Sequence, residues 1–156
     1  MDEKPDKIKV VYNNKRATFD YEILERFEAG LALTGTEIKS IRENQVSLQQ
    51  SYVQARGDEL WLLEANIAQY VHGNRENHEP KRPRKLLLHR REINRILANL
   101  AQKGLTVVPT RLYLKGGRAK VEIALARGKR KFDKRGDIAR RDADRQVERA
   151  LREKFR

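Results

Sequence analysis

The sequence predicts a mainly β fold, in which short antiparallel strands with two inserted helices form the body and a basic tail follows. Three observations carry that expectation. Apolar residues alternate with polar ones in short runs, the period of half-buried strands. Two pairs of these runs flank two-residue turn signals, Gly57-Asp58 and Gly116-Gly117, which mark hairpins. Beyond Ala126 the alternation gives way to charge, residues 129–156 holding 12 Lys/Arg and 6 Asp/Glu.

Taken in order, the apolar residues Phe19, Tyr21, Ile23, Phe27, Ala29, Leu31 and Leu33 fall on odd numbers. They predict one long strand bent near Gly30. Thr36 is placed to cap a short helix through "EIKSIREN", with Ile38 and Ile41 inward. "VSLQQSYVQA" and "ELWLLEANI" are the arms of the first hairpin. Residues 68–85 read as a polar loop ending in "PKRPRK", whose two prolines oppose regular pairing and favour extended chain. In "HRREINRILANLAQKG" the residues Ile93, Ile96, Leu97 and Leu100 follow the i, i+3, i+4, i+7 spacing of an amphipathic helix, stopped by Gly104. "LTVVPTRLYL" and "RAKVEIALA" pair across the second hairpin, with Val121, Ile123 and Leu125 inward.

A body this small, built from hairpins, is expected to close or nearly close into an OB-like antiparallel β-barrel of roughly five or six strands with flanking helices, which protects strand edges. The expected division is a barrel domain over 1–127, with 1–7 disordered, and a tail over 128–156. In the tail Ala143, Val147, Leu151 and Phe155 fall four apart. A thin stripe on a helix of this length is marginal in water, so the tail is expected to be disordered alone and helical when docked.

Lys and Arg outnumber Asp and Glu 35 to 22, a formal charge of +13. The excess is confined to one half: residues 1–80 carry 10 against 14, net −4, and residues 81–156 carry 25 against 8, net +17. A polyanionic partner suits that asymmetry. There is no cysteine, which excludes disulfides and thiolate metal sites. No apolar run approaches the ~20 residues of a membrane span, and the start "MDEKPDK" lacks the apolar segment of a secretory signal; a cytoplasmic location is expected. His72, His78 and His89 lack metal-ligand spacing, and the chain has neither a Gly-Lys-Ser/Thr phosphate loop nor a nucleophile elbow. No catalytic residue, metal or cofactor is expected, and the chain does not read as an enzyme.

Two segments carry the chemistry. "KRPRKLLLHRR" (81–91) has six Lys/Arg, no acid and three leucines. The leucines would anchor it while the cations stay outside, either as solvated charge or as phosphate ligands, since cations at a helix N-terminus oppose its dipole. "RGKRKFDKR" (127–135) sets one ring among six cations. Phe132 has Arg130 and Lys134 two residues away, unlike a core-facing strand ring. It either tucks onto the body or stacks on a base, the cations pairing with phosphates and Asp133 bonding a base edge or a neighbouring cation. A basic patch with an interleaved ring suits RNA. Asn13, Asn14, Lys15 and Arg16 either read RNA or cap a turn. Glu22, Glu25 and Glu28 recur every third residue, which on a strand divides them between faces. Composition equally suits a permanent ribosomal protein. A nuclease would need Glu22, Glu28 and Glu37 to converge on a metal. A membrane-lying tail would have only Val147, Leu151 and Phe155 as large apolar residues to bury.

Together "NKRA", "FEAGLALTGTEIKSIR", "SYV", "RKLLLHRREI", "KGLTVVP" and "ARGKRKFDKR" resemble the SsrA-binding protein (small protein B, SmpB) family, the bacterial partner of transfer-messenger RNA. The resemblance runs in order through residues 8–140; beyond them only basic, helix-prone character is shared. It implies an OB-like barrel with flanking helices, and a monomer is expected. This adaptor binds the tRNA-like domain of transfer-messenger RNA and supports its alanylation. With elongation factor Tu and GTP it delivers that RNA to stalled ribosomes for trans-translation. The tail then probes the empty decoding centre and mRNA channel beside small-subunit rRNA. Carried over residue by residue, the RNA-facing group is Asn14, Lys15, Arg16, Tyr21, Glu28, Leu87 and His89. The ribosome-facing group is Gly128, Lys129, Arg130, Lys131, Phe132, Asp133, Lys134 and Arg135, with Ile138 beyond. Position 89 is often Asn in the family and position 132 often His; His89 would offer a ring nitrogen, and Phe132 would keep stacking without a hydrogen bond.

Overall fold

The structure is a computed structural model that describes residues 7–73, 77–102, 104–129 and 131–154. The expectation of disorder at 1–7 falls, for residues 1–6, outside the described residues. In chain order the elements are β1 (Ile8–Asn13), α1 (Lys15–Asp20), β2 (Tyr21–Leu31), α2 (Gly35–Arg42), β3 (Val46–Ser47), β4 (Tyr52–Arg56), β5 (Glu59–Leu63) and β6 (Asn66–Ile67). After them come β7 (Arg84–Leu87), α3 (Arg90–Leu100), β8 (Leu105–Lys115), β9 (Arg118–Gly128) and α4 (Lys131–Lys154).

Among the described residues seven strands form one antiparallel sheet in the order β1-β8-β9-β2-β7-β5-β4, and β3 pairs with β6 in a small separate ladder. The fold is mainly β with helices and OB-like, as expected, but the barrel does not close by hydrogen bonds. β1 and β4 remain edges, although β4 curls round to lie alongside β8. Closure needs strands that offer paired groups to both neighbours along their length. β7 is too short for that: it contributes Leu86 and Leu87 to β2, and Arg84 and Lys85 to β5.

Both hairpins form where the turn signals lie. Gly116 and Gly117 take φ of +57° and +80°, the left-handed pair that matches strand twist in a two-residue turn. The long odd-numbered alternation resolves differently. Its first residue, Phe19, lies in the last turn of the unexpected helix α1, and β2 begins at Tyr21. The irregularity lies between Ile23 and Glu25, not at Gly30, because Ile23 faces Ala126 whereas Glu25 faces Leu125. Leu24 is the extra residue of a bulge, which re-aims the strand. Tyr21 and Ile23 therefore pack with Ala17, Val108 and Ala126 on one face, while Phe27, Ala29 and Leu31 join the main core on the other.

Three further expectations are corrected. The cap of α2 is Thr34, two residues before Thr36: its N–H donates to Glu37 Oε1 at 2.8 Å, the carboxylate half of a capping box. The prolines of "PKRPRK" end before pairing resumes, so Arg84 and Lys85 enter the ladder. The cations of 81–91 do not all stay outside. Arg84 is fully buried and Leu87 is exposed, so it is Leu86 that anchors the strand. Helix α3 does present Ile93 and Ile96 to the core, with Leu97 and Leu100 partly buried against it.

Arg84 lies inside because its whole fork is satisfied. Nε donates to Glu37 Oε2 at 2.6 Å, Nη1 to the Ala65 carbonyl at 2.6 Å and Nη2 to the Pro80 carbonyl at 3.0 Å. Glu37, also fully buried, accepts a second guanidinium, Arg82 Nη2, at 2.6 Å. Burial alone would raise the Glu37 carboxyl. Hydrogen bonds from Arg82, the Thr34 N–H and Arg84 outweigh it and hold the group below 4.5. His78 completes the region, its ring nitrogens 2.9 Å from Thr36 Oγ1 and 2.8 Å from the Ile67 carbonyl.

Glu37→Ala strands a buried guanidinium and should cost about 3–5 kcal/mol in urea unfolding. A carboxyl depressed on folding stabilises fully above its unfolded value and loses that contribution as pH falls through the folded one. The stability gap between wild type and Glu37→Gln should therefore narrow below pH 4.5; a gap constant down to full protonation contradicts the assignment.

Candidate nucleic-acid interface

The outer face of the sheet is assembled by register. Val10, Tyr113 and Lys120 lie side by side on β1, β8 and β9; Lys120 faces Gly30 on β2, and Gly30 faces Leu87 on β7. A neighbouring row sets Arg111 beside Glu122 and Glu122 beside Glu28. At the β7 end an open cleft of about 720 Å³ is lined by Glu28, Gly30, Lys85, Leu87, His89, Arg90 and Lys120 among others. Three of the seven expected RNA-facing residues, Glu28, Leu87 and His89, thus meet in one place.

Each arrives for a local reason. Leu87 is the last residue of β7 and points opposite to the buried Leu86, leaving it 51% exposed. His89 is the N-cap of α3, and its backbone N–H donates to Glu92 Oε1 at 3.4 Å. Gly30 keeps the floor low, because a Cβ there would stand 3.3 Å from that of Leu87. Glu28 is held by Tyr113, whose buried hydroxyl donates to its Oε2, and by Lys115, whose Nζ lies 3.4 Å from its Oε1. The Tyr113 hydrogen bond, assisted by Lys115 and Lys120 against modest burial, keeps the Glu28 carboxyl below its ordinary value. Burial and the Glu28 charge together push the Tyr113 hydroxyl well above the usual tyrosine range. The result is a fixed, ionised acceptor among lysines, suited to a base edge, while the cations suit phosphate.

Asn14, Arg16 and Tyr21 meet elsewhere, in a cleft of about 470 Å³ with Asp20, Gln50, Tyr52 and Thr106 among its other walls. Tyr21 and Glu28 are seven positions apart, roughly 20 Å along β2. The Asn14 side chain turns inward, Nδ2 donating to the Pro109 carbonyl at 2.8 Å. Lys15, the first residue of α1, is exposed, and Arg16 Nε sits 3.4 Å from Asp20 Oδ2.

The tail starts beside this second cleft. Gly128 pairs with Tyr21, and the Lys129 N–H donates to the Asp20 carbonyl at 3.0 Å. Arg130 and the side chains of Lys131, Phe132, Asp133, Lys134 and Arg135 lie outside the described residues. The backbone of 131–154 is helical, the Arg141 guanidinium sits 4.8 Å from the centre of the Phe19 ring on α1, and Ile138 and Val147 are exposed.

Among the six cations of 81–91, Arg82 and Arg84 serve Glu37. Arg90 meets Glu59 Oε1 at 2.6 Å and the Asp58 carbonyl at 2.6 Å, and Lys81 lies 3.8 Å from Glu64. The cations at the start of α3 are therefore not all unopposed. Tyr113, Lys115 and Lys120 were missed in the sequence; the only signal was the two-residue spacing of Tyr113 and Lys115 on the strand before the glycine turn. Among the described residues no group of three or more His, Asp or Glu could hold a metal. Glu37, the third carboxylate of the nuclease reading, is sealed in the core.

If Tyr113 sets the Glu28 carboxyl, Tyr113→Phe should raise its pKa toward 4.5 in a carboxyl ¹³C NMR titration, and Lys115→Ala should raise it by less. An unmoved titration in Tyr113→Phe would remove Tyr113 from that role.

The chain matches the family described as "SmpB protein" over residues 11–153. It is 52% identical over 147 residues to an SsrA-binding protein of Carboxydothermus hydrogenoformans, covering 94% of this chain and 99% of the relative. It is 58% identical over 149 residues to that of Roseiflexus sp. strain RS-1, covering 95% and 94%. The SsrA-binding protein of Chloroflexus aggregans is 53% identical over 157 residues, covering 100% and 99%. Among solved structures, one described as "tmRNA-SmpB: a journey to the center of the bacterial ribosome" superposes with a TM-score of 0.65 at 48% identity, over 77% of this chain and 85% of the other. A cleft built from Glu28, Leu87 and His89 on an OB-like sheet, a basic tail, and near full-length identity of this order have one common explanation: the chain belongs to the SmpB family.

Proposed function

We propose that this protein is an RNA-binding adaptor, not an enzyme. It binds the tRNA-like domain of transfer-messenger RNA and delivers it to stalled ribosomes for trans-translation. The observation that carries this reading is the convergence of Glu28, Leu87 and His89 with Lys120 in one open cleft. An ionised acceptor, an exposed apolar side chain and cations are the three contact types a folded RNA with unstacked bases requires. Asn14, Lys15, Arg16 and Tyr21 belong to the same RNA-facing group and extend the contact toward the root of the tail.

In this reading residues 1–127 form the RNA-binding domain and 128–156 the ribosome-facing tail. The tail orders as a helix in the decoding centre and mRNA channel, with Gly128 through Arg135 and Ile138 as its contacts. The helix over 131–154 supports that capacity. Elongation factor Tu with GTP is engaged through the RNA, and the protein acts as a cytoplasmic monomer. No helix of the described residues is long and apolar enough to cross a membrane.

Glu28→Ala and Leu87→Ala should each weaken binding of transfer-messenger RNA roughly tenfold in a gel-shift titration, about 1.4 kcal/mol. Deleting 129–156 should leave that affinity within about twofold yet abolish tagging of proteins from messages without a stop codon. Loss of RNA affinity on tail deletion would refute the division between body and tail.

A further inference from the structure

The outer face does not end at Leu87. Lys85, two residues earlier on β7, points the same way and stands opposite Trp61 on β5; Trp61 in turn stands opposite Gln54 on β4. The neighbours of Trp61 in sequence, Leu60 and Leu62, are buried in the core, so the indole lies on the outside, half-buried. Arg56, further along β4, holds its guanidinium 5.8 Å from the indole centre. Its only hydrogen bond among the described residues is from Nε to Gln54 Oε1 at 3.3 Å.

The charge on this patch is positive and unspent. Neither Arg56 nor Lys85 has a carboxylate partner among the described residues. The nearby acids are engaged, Glu59 at 2.6 Å and Asp58 at 3.9 Å from Arg90. A large ring, two cations without counterions and an amide thus continue the surface that Leu87 begins.

Resting on the RNA-binding function above, we infer that Trp61, with Arg56 and Lys85, is a second RNA contact, on which an unpaired base of the bound RNA stacks while the two cations take the adjoining phosphates. A flat ring serves any base, since each has a π-face, and neighbouring cations fix the backbone. Arg56 already favours the ring face, and its weak tether leaves it able to turn to a phosphate. The occupant is RNA because the patch is continuous with the Leu87 cleft and carries the opposite charge to a phosphate chain.

Trp61 is the only tryptophan in the sequence, so the full-length protein reports on the site directly. Titrating it with the tRNA-like domain of transfer-messenger RNA should quench tryptophan emission along the same isotherm as a gel shift. Trp61→Ala should bind roughly tenfold more weakly and Trp61→Phe within about threefold. Lys85→Ala should reduce the slope of log affinity against log salt by about one. Should Trp61→Ala fail to fold, wild-type emission and the Lys85→Ala slope decide. RNA bound with unchanged emission, or with an unchanged slope in Lys85→Ala, overturns this contact and leaves the proposed function standing. No RNA bound at all overturns both.

Discussion

The arrangement depends on one buried ion pair. Among the described residues β7 is the strand whose hydrogen-bonded pairing joins the β1-β8-β9-β2 half of the sheet to the β5-β4 half, and it has two residues in register with each neighbour. So few backbone pairs would be a weak seam. Arg84 secures it by spending its guanidinium on Glu37 from α2 and on carbonyls of residues 65 and 80. A buried charge pair is not by itself a source of net stability, since desolvation offsets the attraction. Its effect here is positional: a guanidinium fork satisfied in three directions admits one placement of β7. Leu87 and His89 lie three and five residues beyond it, so the first cleft inherits its geometry from a contact on the other side of the sheet.

Bulges supply the second constraint. At Leu24 the shift on β2 turns the strand over. Tyr21 and Ile23 thereby serve the small cluster under α1 while Phe27 and Ala29 serve the main core. A similar shift between Pro109 and Arg111 on β8 lets Asn14 tie into the carbonyls of Pro109 and Thr110. The shift at Leu24 brings Tyr21 onto the same face as Glu28, and the seven positions between them, roughly 20 Å along β2, leave each lining its own cleft. A folded RNA that spans both would touch the body at two well-separated places, which resists rotation in a way a single patch cannot. The tail leaves from the second of them, where Gly128 pairs with Tyr21.

The electrostatics divide in the same manner. In the positive half of the chain several cations are already committed: Arg82 and Arg84 to Glu37, Arg90 to Glu59, and Arg111 to Glu122 at 3.1 Å. Formal charge therefore overstates what the body offers a polyanion. The residues left to meet one, such as Lys85, are those whose register places them on the outer face without an ion-pair partner among the described residues. Glu28 is the exception, a carboxylate held among these cations. A carboxylate on a phosphate-binding surface repels its ligand unless it is fixed to accept from a base, and Tyr113 and Lys115 fix it.

By itself the sequence determined the mainly β character, both hairpins, the amphipathic helix α3, the basic tail and the family, because each is written in local spacing or in consecutive motifs. Period-2 alternation and Gly-Gly need no tertiary partner to be read. The tertiary structure alone decided which alternating residues share a face, since a bulge at Leu24 leaves the odd-numbered pattern intact while reversing its meaning. It decided that Arg84 goes inside and Leu87 outside, against the polarity of both side chains, because Glu37 and the carbonyl acceptors come from distant segments. It also decided that the residues expected to face RNA divide between two clefts and that Trp61 continues the surface of the first. Register across β2, β7 and β5 is a relation between strands separated by long stretches of chain, and hydrophobic spacing within one strand carries no record of it.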